Sequence, residues 1–232
     1  MRYVTLLLAA VVLAGCSPAD AQKAQQILAD AQQAEQSVTS ESFILKLSFA
    51  SEGQSAEIVM QGAGYTKTGD FYMTVSGSVP GATTPLELAI VKRGGEVRFR
   101  QNGQTQILPV AAAQQQLGGS LDTFSQFTEL ARYVKDGSVS ETDFEGRPAD
   151  KLVGVLDTQG LLSAASGVSS QIFGQLGVHL GDIRVVLFVP RDTHLVEALL
   201  ADLKVSAGGK SVAMTMSLGI TGVNQPVSFP TL

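Results

Sequence analysis

The sequence predicts an α+β domain in which one strongly curved antiparallel sheet packs against helices on its concave side. From Ser42 onwards most segments alternate apolar and polar residues, which is the pattern of half-buried strands. Segments that begin near Gln22, Ser120 and Thr158 instead repeat apolar residues at steps of three and four, as helices do. The alternating segments amount to roughly ten or eleven strands. Their apolar face needs a cover, and the helical segments can supply it.

The chain begins with a pattern that is typical of an export signal. One basic residue, Arg2, precedes an apolar run from Val4 to Leu13. The run is too short to span a membrane, which takes roughly 20 apolar residues. Leu13-Ala14-Gly15-Cys16 follows, where a cut is expected. In an ordinary signal peptide, cleavage would leave Cys16 without a role.

These four residues resemble a bacterial lipobox. The resemblance implies that residues 1–15 are removed and that Cys16 receives a diacylglycerol. Two acyl chains hold a protein on a bilayer where a single chain is marginal. The mature chain is therefore expected on the extracytoplasmic side of the cell membrane. Residues 16–21 are expected to be a lipidated tether, and residues 22–232 a single domain.

The composition argues against several classes of function. The chain has 16 Lys and Arg against 21 Asp and Glu, a formal net charge of −5, without a basic cluster. That argues against nucleic acid as a partner and against a polybasic grip on anionic lipid. Cys16 is the only cysteine, so an internal disulfide is impossible. Charged residues make up only 16% of the chain, which suits a large apolar interior.

Each element follows from local patterns. The first helix is predicted from Gln22 to Ser40 on an Ala-rich stripe, and six strands in a meander should follow as far as Leu108. The turn signals between them include Gly69-Asp70, Gly94-Gly95 and Asn102-Gly103. The later elements are predicted as a weak helix over 111–117, a helix over 120–134, strands over 138–144 and 149–156, a Gly-weakened helix over 158–176, strands over 183–189, 195–206 and 212–218, and an edge segment over 225–230.

The familiar catalytic and metal-binding motifs do not occur. His179 and His194 have no His, Cys or carboxylate at ligand spacing, so a loop role and a strand-start role are preferred. Gly208-Gly209-Lys210-Ser211 lacks the first glycine of a phosphate loop and is interpreted as a hairpin turn. Asp143 and Glu145 are interpreted as a solvated turn. The sequence thus predicts no catalytic residue, no metal, no cofactor and no enzyme activity.

Four methionines lie on the apolar faces of predicted strands. Met60, Met73, Met214 and Met216 are interpreted first as core residues. They also suit the lining of a lipid cavity, because a thioether side chain adapts to varied partners. The residues alone leave both interpretations open.

Three further segments resemble the LppX/LprG-type lipoproteins. Gly69-Asp70-Phe71-Tyr72 is similar to their Asp-Gly-x-x-Tyr turn and strand, with the turn residues reordered. Residues 146–154, Gly-Arg-Pro-Ala-Asp-Lys-Leu-Val-Gly, resemble their Gly-x-x-x-x-x-(Ile/Val)-x-Gly strand. Pro226-Val227-Ser228-Phe229-Pro230 resembles their closing Pro-Val-x-(Ile/Val)-x-x-Pro, one residue short. Together with the lipobox, these segments cover nearly the whole mature chain.

The resemblance implies a half-open, LolA-like β-barrel with helices over its open side. Such proteins hold acylated lipids or glycolipids between sheet and helices and carry them across the cell envelope. The expected partners are a lipid or glycolipid, the membrane through Cys16, and a membrane transporter; the expected state is a monomer. The residues predicted to line the cavity are Leu45, Leu47, Ile58, Met60, Phe71, Met73, Leu88, Ile90, Leu187, Met214 and Met216 from strands, and Phe124, Phe127, Leu161, Leu162 and Phe173 from helices.

Two alternatives remain at this point. An envelope scaffold or sensor of the same fold would bind a protein partner and have a filled core. A lipid-modifying enzyme would need catalytic residues that the sequence does not offer. A slip of one residue in strand phase would exchange the two faces of the sheet and thus the predicted lining.

Overall fold

The computed structural model describes residues 18–51, 54–78, 85–117, 134–157, 179–180, 183–207 and 210–232. Over these ranges the chain forms one sheet of 12 strands, which is not closed into a barrel, and two helices. The predicted α+β class with a curved antiparallel sheet is confirmed. The elements are α1 (Pro18–Glu35), β1 (Ser40–Ser51), β2 (Gln54–Tyr65), β3 (Phe71–Ser78), β4 (Leu86–Arg93), β5 (Glu96–Gln101), β6 (Gln104–Pro109), α2 (Val110–Leu117), β7 (Val134–Phe144), β8 (Arg147–Leu156), β9 (His179–Leu180), β10 (Ile183–Pro190), β11 (Ala198–Ala207) and β12 (Lys210–Val223).

The strand order is β6-β5-β4-β3-β2-β1-β12-β11-β10-β8-β7, with β9 beside β11. The first six strands pair in chain order, as the predicted meander requires, because short turns favour pairing between neighbours. The last long strand, β12, enters the middle of the sheet between β1 and β11. The pairing of β12 with β1 therefore joins the half of the sheet formed by β1 to β6 to the half that contains β7, β8, β10 and β11.

Two hairpin turns have the backbone that their residues predict. Asn102 and Gly103 have φ angles of 50° and 77°, and Gly94 and Gly95 have φ angles of 58° and 88°. Two consecutive residues with positive φ are the mark of a type I′ turn, whose twist matches that of the strands it joins. The turns fix the register of β4, β5 and β6.

The sheet has an inner face and an outer face. We define the inner face as the one that carries Leu45, which packs in one cluster with Ala24 and Leu28 of α1. The inner face also carries Phe71, which packs with Ala113 of α2. Both helices therefore lie on the same side of the sheet, as the sequence predicts for its apolar face.

Helix α1 begins and ends earlier than predicted. Its first residue is Pro18, which suits a first helical turn because that position needs no backbone donor. It ends at Glu35, where the Ser37 hydroxyl donates to the Ala34 carbonyl at 2.7 Å. The sequence prediction extended the helix because its apolar spacing continues to Val38. Val38 is in fact buried from the turn that leads into β1.

Two other predictions on segment type are corrected. Val134 begins β7 instead of ending a helix; the rest of that predicted helix, and the one over 158–176, lie outside the described residues. The segment 225–230 is not an edge strand. After Asn224, whose N–H donates to the Ser40 carbonyl at 2.8 Å, the tail crosses the outer face and places Phe229 against Tyr72.

Candidate functional site

The apolar inner face of the sheet is the candidate site. Directly paired residues of antiparallel strands point to the same side. Leu45 pairs with Met60, and Leu47 pairs with Met216. Met73 pairs with Ile90. Registers and alternation place all eleven strand residues predicted from the sequence on this one face: Leu45, Leu47, Ile58, Met60, Phe71, Met73, Leu88, Ile90, Leu187, Met214 and Met216.

Burial along the inner face is uneven. Leu187 on β10 is 0% exposed, and Leu152 and Leu199, which pair with it, are also fully buried. Leu45, Phe71 and Ile90 are buried as well. The other seven predicted residues keep part of their surface accessible, namely Leu47, Ile58, Met60, Met73, Leu88, Met214 and Met216.

Helix α1 covers the β7 end of this face closely. Ala24, Leu28 and Ala31 are its buried residues. Gly137 on β7 lacks a side chain, and a Cβ built there would lie 3.0 Å from the Cβ of Ala24. Small residues on both sides thus allow the helix to approach the strand. The Ala-rich stripe of the helix is therefore a packing surface, as the sequence predicts.

Helix α2 covers the opposite end. Ala113 is 0% exposed and packs with Phe71, Ile90 and Val97 of the inner face. Met73 is the residue that connects the two ends, because it packs against the α1 cluster and also against the α2 cluster. Its unbranched side chain suits a position between two differently shaped surfaces.

The remaining predicted site residues lie outside the described part of the chain. They are Cys16, Phe124, Phe127, Leu161, Leu162 and Phe173. The predicted lipidation and the helical side of the predicted cavity therefore stay predictions.

Glu41 is a residue of the inner face that the sequence analysis did not single out. It lies two residues before Phe43 on β1 and is only 8% exposed. It pairs with Gly64 on one side and with Val223 on the other. Burial raises the pKa of the Glu41 carboxyl above its usual value, because a charged carboxylate loses its hydration there. The sequence does contain a signal for this position. Phe43, Leu45 and Leu47 alternate along β1, and the same alternation continued backwards places Glu41 on the inner face.

Two arginines hold the end of the sheet near the β7–β8 turn. Arg147 donates to Glu197 and to Asp192, and its hydrogen bond with Glu197 is the main cause of its raised pKa. Arg191 donates to both carboxylate oxygens of Asp150, at 3.2 and 2.8 Å. Glu141 lies 2.7 Å from Arg191, whose hydrogen bond lowers the pKa of the Glu141 carboxyl. These groups are paired with one another, so they serve structure.

The histidine and carboxylate side chains that the sequence analysis considered for catalysis have structural roles or lie apart from one another. His194 is exposed in a turn, with φ of 57° and its N–H bonded to the Pro190 carbonyl. Asp143 accepts a hydrogen bond from the Gly146 N–H at 2.8 Å and thereby holds the predicted turn. Within the described ranges, no group of three or more His, Cys, Asp or Glu side chains could hold a metal ion.

Residues of the described ranges form three depressions on the outer face and its rim, each with a volume of about 210–340 Å³. The largest, near the β1–β2 hairpin, is lined partly by Ser48, Glu57 and Thr215. Another lies under the tail, between Arg93 and Phe229. These sites are shallow and mixed in polarity, whereas small-molecule sites are mostly apolar clefts of about 300–1,000 Å³. They compare poorly with the inner face as a candidate site.

In the portion of the chain that the structure describes, no helix combines the length and apolar character needed to cross a membrane. No protein-family model matches the sequence, and no curated protein matches it.

Solved structures do match the fold. LprF from Mycobacterium bovis is 14% identical, with a TM-score of 0.52; the match covers 90% of this chain and 97% of LprF. The lipoprotein LppX from Mycobacterium tuberculosis is 10% identical, with a TM-score of 0.49, and the match covers 89% of this chain and 98% of LppX. At these identities the likeness concerns the fold alone. The chain therefore has the fold of LprF, and its resemblance to the LppX/LprG-type lipoproteins is confirmed at the level of fold.

Proposed function

We propose that this chain is an extracytoplasmic lipoprotein that binds an acylated lipid or glycolipid on the inner face of its sheet and carries it across the cell envelope. Diacylglycerol on Cys16 would anchor it in the cell membrane. The protein would act by binding, without a catalytic group and without a cofactor.

The main support for lipid binding is the row of partly exposed apolar side chains on the inner face. Leu47, Met60, Met73, Leu88 and Met216 all face the helices, yet none is fully buried. A filled core would bury such side chains completely, since interiors pack as densely as organic crystals. An acyl chain laid along this row would complete their burial and would itself leave water.

The side-chain chemistry of the row also suits a lipid. Methionine adapts to an irregular or variable neighbour, and three strands supply it at Met60, Met73 and Met216. The ends of the row are fixed by α1 and α2, and Met73 packs with both. The part between the two helix-covered clusters is thus where we place the acyl chains.

Native mass spectrometry tests the proposal. The chain from residue 17 onwards, purified from a lipid-producing host, should carry an additional species that organic solvent extracts and that has the mass of a lipid. A protein that keeps its apo mass after incubation with envelope lipids would contradict lipid binding and favour a protein-binding scaffold.

A matched pair of variants locates the lipid. Met73→Arg places a charge on the inner face and should abolish the bound species. Ser76→Arg lies on the same strand but on the outer face, where it is exposed, and should leave the bound species in place. Both variants should be folded, which a cooperative unfolding transition would show. Equal lipid content in both would remove Met73 from the site.

A further inference from the structure

The free edge of the sheet at β6 has a set of unpaired backbone groups. Among the described strands, β6 pairs only with β5. The Asn102-Gly103 turn is closed by the pair Gln101 and Gln104, and at the other end the Val110 N–H donates to the Gly95 carbonyl. Hydrogen-bonded pairs alternate along an antiparallel ladder. The backbone N–H and C=O groups of Thr105 and Ile107 therefore point away from the sheet.

The two edges of the sheet differ in how they are protected. The β7 edge has a bulge between Lys135 and Ser138, carries charged residues, and lies under α1. Such features discourage the addition of another strand. β6 reads Gln-Thr-Gln-Ile-Leu-Pro; it has no charge and a regular register, and Pro109 protects only its last position.

The side chains at the β6 edge add a specific chemistry. Ile107 is 56% exposed, and within the described ranges no other large hydrophobic side chain is classed as exposed. It pairs with Arg98, and Thr105 pairs with Arg100, so all four side chains lie on the outer face. Arg98 is 47% exposed and lies 3.6 Å from Glu96, a surface pair that contributes little to stability.

We propose that the β6 edge binds an extended acidic segment of a partner protein by strand addition. Thr105 and Ile107 would supply two backbone donors and two acceptors to the added strand. The added strand would lie about 10 Å from β5, which is twice the spacing between neighbouring strands. A glutamate on the outer face of the added strand and an arginine on β5 are together long enough to bridge that distance. Acidic residues at alternate positions of the added strand, opposite Ile107 and Thr105, would line up with Arg98 and Arg100. An apolar residue at the next position on that face would contact Ile107 diagonally.

Charge supports an acidic partner over a second copy of the chain. The outer face of β5 carries Arg98 and Arg100 with Glu96, and β4 adds Arg93 and Glu87 beside them. This surface therefore has three arginines against two glutamates, although the whole chain has a formal net charge of −5. Pairing two copies through β6 would bring two such basic surfaces together. An acidic strand would instead neutralise one of them. This site is at the edge and outer face, so it stands whether or not lipid binds on the inner face.

The test uses the intact, lipidated chain in detergent micelles and a fluorescein-labelled peptide, Thr-Val-Thr-Glu-Thr-Glu-Thr. In an extended strand its two Glu residues and its Val share one face. We expect saturable binding by fluorescence anisotropy and slower hydrogen exchange of the Thr105 and Ile107 amides. The matched peptide with Lys in place of Glu should bind with an affinity lower by about tenfold or by a larger factor.

Variants separate the backbone contribution from the charge contribution. Ile107→Pro removes an outward donor without a loss to the β5 ladder and should weaken binding about tenfold, whereas Ile107→Val should not. Arg98→Glu with Arg100→Glu should reverse the preference in favour of the Lys peptide. The reversal decides the matter if the proline variant fails to fold.

Three results would overturn the proposal. The first is the absence of saturable binding of the Glu peptide. The second is binding that persists in Ile107→Pro and is unaffected by the arginine reversal. The third is a concentration-dependent dimer that Ile107→Pro abolishes, which would assign the edge to a second copy of the chain.

Discussion

Arg147 and Glu197, 50 residues apart in the chain, form a two-pronged ion pair at one end of the sheet. Arg147 Nη1 donates to Glu197 Oε1 at 3.2 Å, and Nη2 donates to Oε2. Thr193 adds a hydrogen bond to Oε1 at 2.7 Å. Glu197 is only 7% exposed, so these partners replace the water that its carboxylate oxygens lack. The pair ties β8 to the connection between β10 and β11.

Arg147→Ala should be strongly destabilising. It leaves the Glu197 carboxylate buried with Thr193 as its one remaining hydrogen-bond donor, and we expect a loss of about 3 kcal/mol in the free energy of unfolding. Arg98→Ala is the control, because the Arg98–Glu96 pair is largely exposed and should cost about 0.5 kcal/mol or less. Urea denaturation measures both. Similar losses would mean that the Arg147 pair contributes no more than a surface contact.

Glu41→Gln should alter the pH dependence of stability. Burial raises the pKa of Glu41, so between its usual pKa and the raised pKa the folded chain holds a proton that the unfolded chain has lost. The stability of the unmodified chain therefore falls as the pH rises through that range. Glu41→Gln should be more stable at neutral pH and should lose this dependence, while the two proteins converge at acidic pH. Urea denaturation at several pH values tests this, and parallel curves for the two proteins would contradict it.

Gly154→Ala should be destabilising because the sheet leaves no room for the added methyl group. A Cβ at Gly154 would lie 2.5 Å from Val134 Cγ1 and 2.8 Å from the Lys135 carbonyl oxygen. We expect a loss of about 2 kcal/mol, as overpacking usually costs. At Gly219 a Cβ would meet no atom within 4 Å, so Gly219→Ala is the matched control. Thermal unfolding that ranks the two variants equally would contradict the close approach of β7 and β8.

Phe229→Ala should release the C-terminal tail from the outer face. The ring of Phe229 lies 6.1 Å from that of Tyr65 and 6.3 Å from that of Tyr72, with the Arg93 guanidinium 5.4 Å from its centroid. We expect a loss of about 2 kcal/mol and faster cleavage of the tail by carboxypeptidase. Ser228→Ala, at an exposed neighbour, should leave both unchanged. A tail equally protected in both variants would show that the ring contacts do not hold it.

Much of the sheet could be predicted from local sequence. The alternation of Phe43, Leu45 and Leu47 identifies β1 and also its inner face, because a strand exposes successive residues on opposite sides. Asn102-Gly103 predicts the turn between β5 and β6, because Asn and Gly are among the few residues that readily adopt the positive φ angles of such a turn. The eleven strand residues predicted for the lining share one face for this reason.

What sequence reasoning missed depends on contacts between distant segments. Nothing near Phe229 indicates that the tail will lie against Tyr72, more than a hundred residues earlier in the chain, and proline-rich tails equally suit sheet edges. The end of α1 was missed because Val38 continues the apolar spacing although a turn buries it. The Arg147–Glu197 pair has no local signal, because partners 50 residues apart meet only through the pairing of β8, β10 and β11.

The position of β12 has a consequence for the order in which the protein acquires its structure. β1 and β12 pair from Glu41–Val223 to Ala50–Ala213, so the central seam joins the first of the described strands to the last. The hairpins of the N-terminal half can form from local contacts, but the seam requires a loop closure across most of the chain. A chain that is synthesised from its N-terminus would therefore present β1 with one edge unpaired until β12 arrives. The two halves of the sheet therefore stay unjoined until synthesis of the chain is nearly complete.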